Sequence, residues 1–150
     1  MEEVIRAVHC INDPRTPSHV RRQAHDFCEA FKERDDSCSC AVAMLSSQAD
    51  DVIRHFALHV LEHTIRTRWN SFDPSAMEGR RNCFLDIVAT KMRDMATEKH
   101  FVKEKMAKLV AEVAKRLFPQ RWPNLWEQLQ QVWAIGDTQV ELICLVLRSI

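Results

Sequence analysis

The chain has 150 residues, of which 46% are hydrophobic and 28% charged, and its 21 basic and 21 acidic side chains leave no formal net charge. This length predicts one domain or a segment of a repeat protein, and the charge balance gives no overall attraction to nucleic acid or to membranes. Two glycines and five prolines leave little turn chemistry for a many-stranded fold. The sequence contains neither a long uncharged apolar stretch nor a signal peptide, so we expect a soluble intracellular protein.

Six cysteines raise the question of disulfides. Four of them fall on apolar faces of predicted helices, namely Cys10, Cys28, Cys83 and Cys144. At such positions cysteine behaves as a small hydrophobic residue. We therefore expect reduced thiols and a cytosolic or nuclear location.

The first two predicted helices are separated by prolines. Apolar residues recur at helical spacing over residues 1–11, and Pro14 and Pro17 follow. Because proline cannot continue a helix, we expect Thr16 to cap the next helix, with Pro17 in its first position. That helix should run to about residue 34 and bury Val20, Ala24, Phe27, Cys28 and Phe31.

A short helix near 38–46 is followed by a long one. Ser47 with Asp50 resembles a capping box that opens a helix over 48–69. This helix carries two apolar stripes, one of Ile53, Phe56, Ala57, Val60 and Thr64 and the other of Leu58, Leu61 and Ile65. A helix with one neighbour needs only one stripe, so two stripes predict a helix packed between neighbours.

Two further helices follow in the second half. Asp73-Pro74 is expected to open one of them, with Phe84, Val88, Met92 and Met95 on its apolar side. Residues 100–118 form the clearest amphipathic helix of the chain. Its stripe consists of Val102, Met106, Leu109, Val110, Val113 and Leu117.

A corner rich in proline and tryptophan, KRLFPQRWPNLWEQL, occupies residues 115–129. Its prolines should stop one helix at Phe118 and start the next at Pro123. We expect Trp122 and Trp126 to fill the wedge between two helix pairs. Gly136 then ends that helix, and the side chain of Asp137 can cap the last one.

Counted in order, these segments give eight helices in about four pairs. The second helices of the pairs begin near residues 17, 48, 100 and 137, at the roughly 30- to 50-residue spacing of two-helix repeats. The sequence therefore predicts an all-α fold, an α-α superhelix of HEAT-like repeats. The last segment, VELICLVLRSI, is apolar almost all round, so we expect more repeats after it and self-association of residues 1–150 alone.

The corner at 115–129 also resembles the K-R-x-W/F-P-x-x-W-P corner of the exportin branch of the importin-β superfamily. VIRHFALHVLEHTIRTRWN at 52–70 is similar to the second repeat of the Hasty, or exportin-five, class, which carries microRNA precursors. DFCEAFKE at 26–33 and GDTQVELICLVL at 136–147 continue the likeness in the same order. Residues 36–48 and 71–99 match more loosely.

This resemblance implies that 1–150 is the amino-terminal HEAT-repeat region of a longer exportin, importin-β N-terminal-like over 1–48 and exportin N-terminal-like over 49–150. It implies a nuclear export receptor that shuttles between nucleus and cytoplasm and is not an enzyme. The implied partner is the small GTPase Ran in its GTP state. Double-stranded RNA cargo and nucleoporins would be bound by the full-length receptor, and no cofactor or membrane partner is expected.

In stacked pairs the second helices line the concave side, so residues opposite their apolar stripes are the expected Ran contacts. On the helix wheels these are Arg22, Asp26, Glu29 and Glu33, then Asp51, His55, Glu62, Arg66 and Trp69, then Glu104, Lys108 and Lys115. The first group is net acidic, which suits a basic partner surface and would speed encounter.

Several motifs allow other functions. His59-Val-Leu-Glu62-His63 matches the H-x-x-E-H pattern of zinc proteases, for which Glu141 is a candidate third ligand. The ridge of His55, His59 and His63 allows a metal site, a pH-sensitive contact surface or ordinary surface histidines. A short motif of this kind often occurs by chance, and a solvated helix face is the simpler interpretation.

Three weaker signals remain. Cys38-Ser-Cys40 has too few intervening residues for a usual zinc site. The pairs Arg80-Arg81 and Arg66-x-Arg68-Trp69 mix basic and aromatic character, as RNA-binding surfaces do, although solvated or packing roles also fit. No glycine-rich phosphate loop is present, so any nucleotide belongs to a partner.

The alternative to an export receptor is a general helical-repeat scaffold without a GTPase partner.

Overall fold

The structure, a computed structural model, describes residues 1–47, 50–94 and 96–150. Within these ranges the chain forms eight α-helices and no strand: α1 Glu2–Asn12, α2 Ser18–Lys32, α3 Ser37–Ser46, α4 Asp51–His63, α5 Pro74–Asp86, α6 His100–Leu117, α7 Leu125–Trp133 and α8 Asp137–Ser149. π-helical turns at Thr64–Arg68 and Ile87–Lys91 extend α4 and α5. The predicted all-α, HEAT-like class is confirmed.

The helices belong to two compact units, Met1–Thr64 and Ile65–Ile150. In the first unit α1 packs on α2, α3 packs on α4, and α1 also contacts α4. The core includes Val8, Phe31, Leu45 and Leu61. Arg54 is buried there as well, with Nη1 donating to the carbonyl oxygen of Leu45 at 2.9 Å. This bond offsets part of the cost of burying a charged side chain.

In the second unit α6 packs on both α5 and α8, and α7 packs on α8. As its stripe predicts, α6 contributes much of the core, including Met106 and Val110. Trp122 is only 1% exposed and its indole Nε1 donates to Gln128 Oε1 at 2.6 Å. The guanidinium of Arg81 lies 5.3 Å from the centre of the Trp122 ring. The predicted burial of Trp122 at the corner is confirmed.

The starts of α4 and α2 differ from the prediction because another residue occupies the cap position. Asp50, not Ser47, caps α4: its carboxylate accepts from the Ile53 N–H at 3.0 Å, whereas the Ser47 hydroxyl donates to the Met44 carbonyl at 3.0 Å. The predicted helix start at 48–49 lies outside the described residues. Pro17 rather than Thr16 precedes α2, without a side-chain cap.

The last two helices also start differently. α7 begins at Leu125, two residues after the predicted Pro123, because residues 119–121 and 123–124 form turns. Asp137 is the first residue of α8, and Gly136 holds the cap position. The predicted cap of α5 is confirmed, since the Asp73 carboxylate accepts from the Ala76 N–H at 2.7 Å.

Some residues expected in the core lie at the surface. Trp126 is 48% exposed and contacts Phe118 edge to face, with ring centroids 5.9 Å apart. Phe27 and Cys144 are exposed too. The apolar faces of their helices are wider than the area that neighbouring helices cover, so the residues at the stripe edges stay outside. Met95 lies outside the described residues, and no described helix is long and apolar enough to cross a membrane.

Candidate partner-binding face

The C-terminal end of α2 contacts α4 in the first unit. The rings of Phe31 and Phe56 have centroids 6.1 Å apart, and His63 Nε2 lies 2.6 Å from Glu33 Oε1. These contacts join the C-terminal end of α2 to the middle and to the C-terminal end of α4. Each is the second helix of a contacting pair, α1 with α2 and α3 with α4. This is the arrangement that the two-helix repeat predicts.

The predicted contact residues of α2 lie on its exposed side, and we call this group the α2 face: Arg22, Asp26, Glu29 and Glu33. Glu29 accepts a hydrogen bond from Lys32 Nζ at 2.8 Å and lies 3.8 Å from His25 Nε2. The hydrogen bond from Lys32 holds the pKa of Glu29 below its ordinary value, and the charges of Lys32, His25 and His63 act in the same direction. Glu29 therefore carries its negative charge at neutral pH.

The α2 face meets a histidine ridge on α4. A carboxylate can only accept hydrogen bonds, so the N–H at His63 Nε2 donates the hydrogen bond to Glu33 Oε1. His59 Nδ1 lies 3.6 Å from Glu62 Oε2, and the rings of His55 and His59 contact edge to face at 4.4 Å. Of the predicted α4 residues, His55 is exposed, whereas Asp51 and Glu62 are half-buried.

The groups of the H-x-x-E-H motif make ion-pair contacts in this structure. His63 is engaged with Glu33 and His59 with Glu62. Glu141, the candidate third zinc ligand, accepts from Lys103 Nζ at 2.9 Å in the second unit. Among residues 1–47, 50–94 and 96–150, no three His, Cys, Asp or Glu side chains are placed to hold one metal ion.

The predicted residues of α6, which we call the α6 face, are Glu104, Lys108 and Lys115. Glu104 accepts from Arg148 Nη2 of α8 at 2.9 Å, and this bond is the main reason why the pKa of Glu104 lies below its ordinary value. Lys115 donates to Glu112 at 3.2 Å. The α6 face is thus a surface of mixed charge, unlike the acidic α2 face.

Two further predicted contacts differ in their accessibility. Arg66 is exposed, but Trp69 is only 3% exposed and packs edge to face on Phe72, with ring centroids 6.3 Å apart. The expectation that Trp69 faces a partner is therefore wrong. The residue follows the π-helical turn at Thr64–Arg68, which changes the direction that a regular α-helix would give its side chain.

The proposed basic–aromatic RNA surface is largely internal as well. Arg80 stacks on the ring of Phe72 with its guanidinium carbon 3.9 Å from the ring centre. Arg81 is buried and donates to the carbonyl oxygen of Arg121 at 3.2 Å. These arginines pack the second unit together and do not form an open stacking platform for bases.

Two histidines, His25 and His63, contact carboxylates of the α2 face and were not expected there from the sequence. His25 and Glu29 stand four residues apart, as neighbours on a helix do, so this pair had a local signal. His63 and Glu33 are separated by thirty positions. Their contact depends on how α2 packs beside α4, which no local pattern reveals.

Comparison with known proteins identifies the family. Residues 24–95 match the Importin-beta N-terminal domain, and residues 99–150 match the family described as Exportin 1-like protein. Over 97% of its length the chain is 31% identical to Exportin-5 of Mus musculus and 30% identical to Exportin-5 of Homo sapiens, and it is 28% identical to Protein HASTY 1 of Arabidopsis thaliana over the same share. It spans 12% of the length of each of these relatives. The chain belongs to the exportin branch of the importin-β superfamily, as its resemblance to the Hasty class predicted.

Proposed function

We propose that this chain is a Ran-binding part of a nuclear export receptor. In this proposal it binds Ran in the GTP state through the α2 face, the neighbouring surface of α4 and the α6 face, and it is not an enzyme. The free energy of binding is then its contribution to transport, and release follows hydrolysis of the GTP on Ran. The family of transport receptors to which the chain belongs supports this kind of role.

The observation that carries the proposal is the acidic α2 face. Asp26, Glu29 and Glu33 are exposed on one side of α2 together with Arg22, and Lys32 is paired with Glu29. Lys32 keeps the pKa of Glu29 low, so its charge is present at cellular pH. A partner with a basic surface would be drawn to this face and oriented by it.

Cargo is proposed at a coarser level. The names of the similar relatives, Exportin-5 among them, support a role in export. The resemblance to the Hasty class extends this proposal to RNA of the microRNA-precursor type, or protein, as the cargo. Because the chain spans 12% of such relatives, binding of double-stranded RNA and of nucleoporins is assigned to the full-length receptor. Shuttling between nucleus and cytoplasm is part of the same proposal.

The experiment is a binding titration of the chain against Ran loaded with a non-hydrolysable GTP analogue or with GDP. We expect binding to the GTP form and much weaker binding to the GDP form. The double variant Glu29→Lys with Glu33→Lys should weaken binding by about tenfold or more, because like charges would then meet across the interface.

A matched control for either single reversal, Glu29→Lys or Glu33→Lys, is Glu127→Lys, which reverses an exposed carboxylate on α7 outside the proposed face. It should bind as the unchanged chain does, which separates a local contact from an effect of net charge. Equal affinity for both nucleotide states would contradict the export-receptor proposal. No binding to either state would favour the general helical-repeat scaffold.

A further inference from the structure

The contact between α2 and α4 includes a histidine–carboxylate pair on the proposed binding face. The side chain of His63 is 22% exposed and that of Glu33 is 62% exposed, so the ring is largely enclosed while the carboxylate faces solvent. Glu33 therefore has a fixed position and an open side at which a partner cation can bind. While the ring is neutral the pair carries one negative charge, and when the ring is protonated the pair carries none.

His63 has several charged or titratable neighbours. Those from α2 and from its own helix are Glu29, Lys32, Glu33, His59 and Glu62, and Arg66 follows one turn later. α3 contains no charged residue. On α1 the charged residues and the histidine are Glu2, Glu3, Arg6 and His9; Glu3 acts on Arg34 beyond the end of α2, and His9 lies near Asp50 at the opposite end of α4. The charge of His63 also contributes to the lowered pKa of Glu29, after the larger effects of Lys32 and His25. One imidazole thus acts on two carboxylates of the α2 face.

We propose that His63 is a positioning residue that sets the affinity of the α2 face for a basic protein partner. The neutral ring holds Glu33 as a charged acceptor, and the protonated ring cancels that charge. Imidazole changes its charge between about pH 5 and 8, so affinity falls as the medium is acidified. The identification of the partner as Ran rests on the proposed function, whereas the requirement for a basic partner does not.

The test compares binding at pH 8 and pH 5.5 for the unchanged chain, His63→Gln and Glu33→Gln. Two probes are used in parallel, GTP-loaded Ran and a decalysine peptide. Glutamine places a donor near the position of Nε2 but does not titrate, so His63→Gln should keep the affinity at pH 8. Acidification to pH 5.5 should lower the affinity of His63→Gln about two- to fivefold less than it lowers the affinity of the unchanged chain. This factor is the usual size of one exposed charge pair. Glu33→Gln should bind weakly at both pH values.

Two further variants separate positioning from a merely structural role. His63→Ala removes the donor and should bind more weakly than His63→Gln at pH 8; equal affinities would overturn the positioning role. His9→Gln removes another imidazole of the first unit, 3.7 Å from Asp50 and outside the α2 face. It should retain the full pH dependence of the unchanged chain.

The two probes distinguish the two proposals. One outcome is that Ran does not bind, while decalysine binds with a pH dependence that requires His63. This result would remove Ran as the partner and leave the role of His63 intact. An identical pH dependence of decalysine binding in the unchanged chain and in His63→Gln would overturn that role, whatever Ran does. Circular dichroism at both pH values checks that each variant is folded.

Discussion

Both units join their second helices through charged side chains, but they use different cations. In the first unit His63 pairs with Glu33 at 2.6 Å between α4 and α2. In the second, Arg148 pairs with Glu104 at 2.9 Å between α8 and α6. Arginine stays protonated throughout the physiological range, whereas histidine does not. The link in the first unit therefore uses a side chain that can change its charge, and the link in the second unit uses one that stays charged.

The two units also differ in the charge that their second helices present. The α2 face has three carboxylates and Arg22, while the α6 face has one carboxylate, Glu104, and two ammonium groups. Lys103 adds a buried ammonium beneath the second surface, paired with Glu141 at 2.9 Å. The packing of the helices determines where each face lies. The charges of the exposed side chains determine which kind of partner surface that face can bind.

The largest effect is expected in the core of the second unit. Trp122→Ala should lower the free energy of unfolding by about 3–5 kcal/mol, because a fully buried indole is lost and a cavity remains. The Nε1 bond to Gln128 and the contact with Arg81 are lost as well. Urea denaturation followed by circular dichroism measures the change.

Trp126→Ala is the control for that substitution. Trp126 is half-exposed, so its truncation removes much less buried area than that of Trp122, and we expect a loss of about 1–2 kcal/mol. Equal losses for the two variants would contradict the distinction between the buried and the exposed tryptophan of the corner.

The next effect concerns the buried cation of the second unit. Glu141→Gln leaves Lys103 without its carboxylate partner in α8, and Lys103 is buried. We expect a loss of about 1–3 kcal/mol in the free energy of unfolding, since a buried charged group keeps its desolvation cost when a partner is removed. Glu127→Gln, an exposed position on α7, should change little under the same urea titration. An unchanged free energy of unfolding in Glu141→Gln would show that other groups fully stabilise the buried ammonium of Lys103.

A smaller effect tests the helix caps, of which each unit has one made by aspartate. Asp50 caps α4 and Asp73 caps α5. Replacing either by alanine should cost about 1 kcal/mol because one N–H of the first turn loses its acceptor. Asp→Asn at the same positions should restore most of the stability in thermal unfolding, and a loss as large as that of alanine would argue against capping.

Helix periodicity was sufficient to predict the fold but not all of the face. The stripe of α6 and the Asp73-Pro74 start were recognisable because they depend on residues three to four positions apart. The same reasoning placed Phe27 and Trp126 in the core, where the structure leaves them exposed. A stripe shows which side of a helix is apolar. How much of that side is buried depends on the neighbouring helices, whose positions are known only from the tertiary structure.

The site was predictable to the extent that it follows a regular helix. The residues of the α2 face were correctly expected to be exposed, because α2 is regular from Ser18 to Lys32. Trp69 was misplaced because a π-helical turn precedes it. The pair of His63 and Glu33 had no local signal at all, since it links two helices that are distant in the sequence.

The smallest expected effect concerns one carboxylate in each unit, and for these two carboxylates we expect the same behaviour. The pKa of Glu112 lies below its ordinary value of 4.5, first through the hydrogen bond from Arg116 and then through that from Lys115. A carboxyl group of this kind stabilises the fold above its unfolded-state pKa, and the contribution is lost as the pH falls through the lower pKa of the folded state. The pKa of Glu29 in the first unit is lowered in the same way by Lys32.

Glu112→Gln and Glu29→Gln should therefore each lower the melting temperature slightly at pH 7, and both differences from the unchanged chain should shrink as the pH falls below about 5. Circular dichroism melts at pH 7, 5, 4 and 3 measure this. A difference that stays constant down to pH 3 would contradict the assigned pKa directions. Because both carboxylates respond only in acid, neither accounts for a change between pH 5 and 8. A response in that range that is lost in His63→Gln is then assigned to the imidazole that joins α4 to α2.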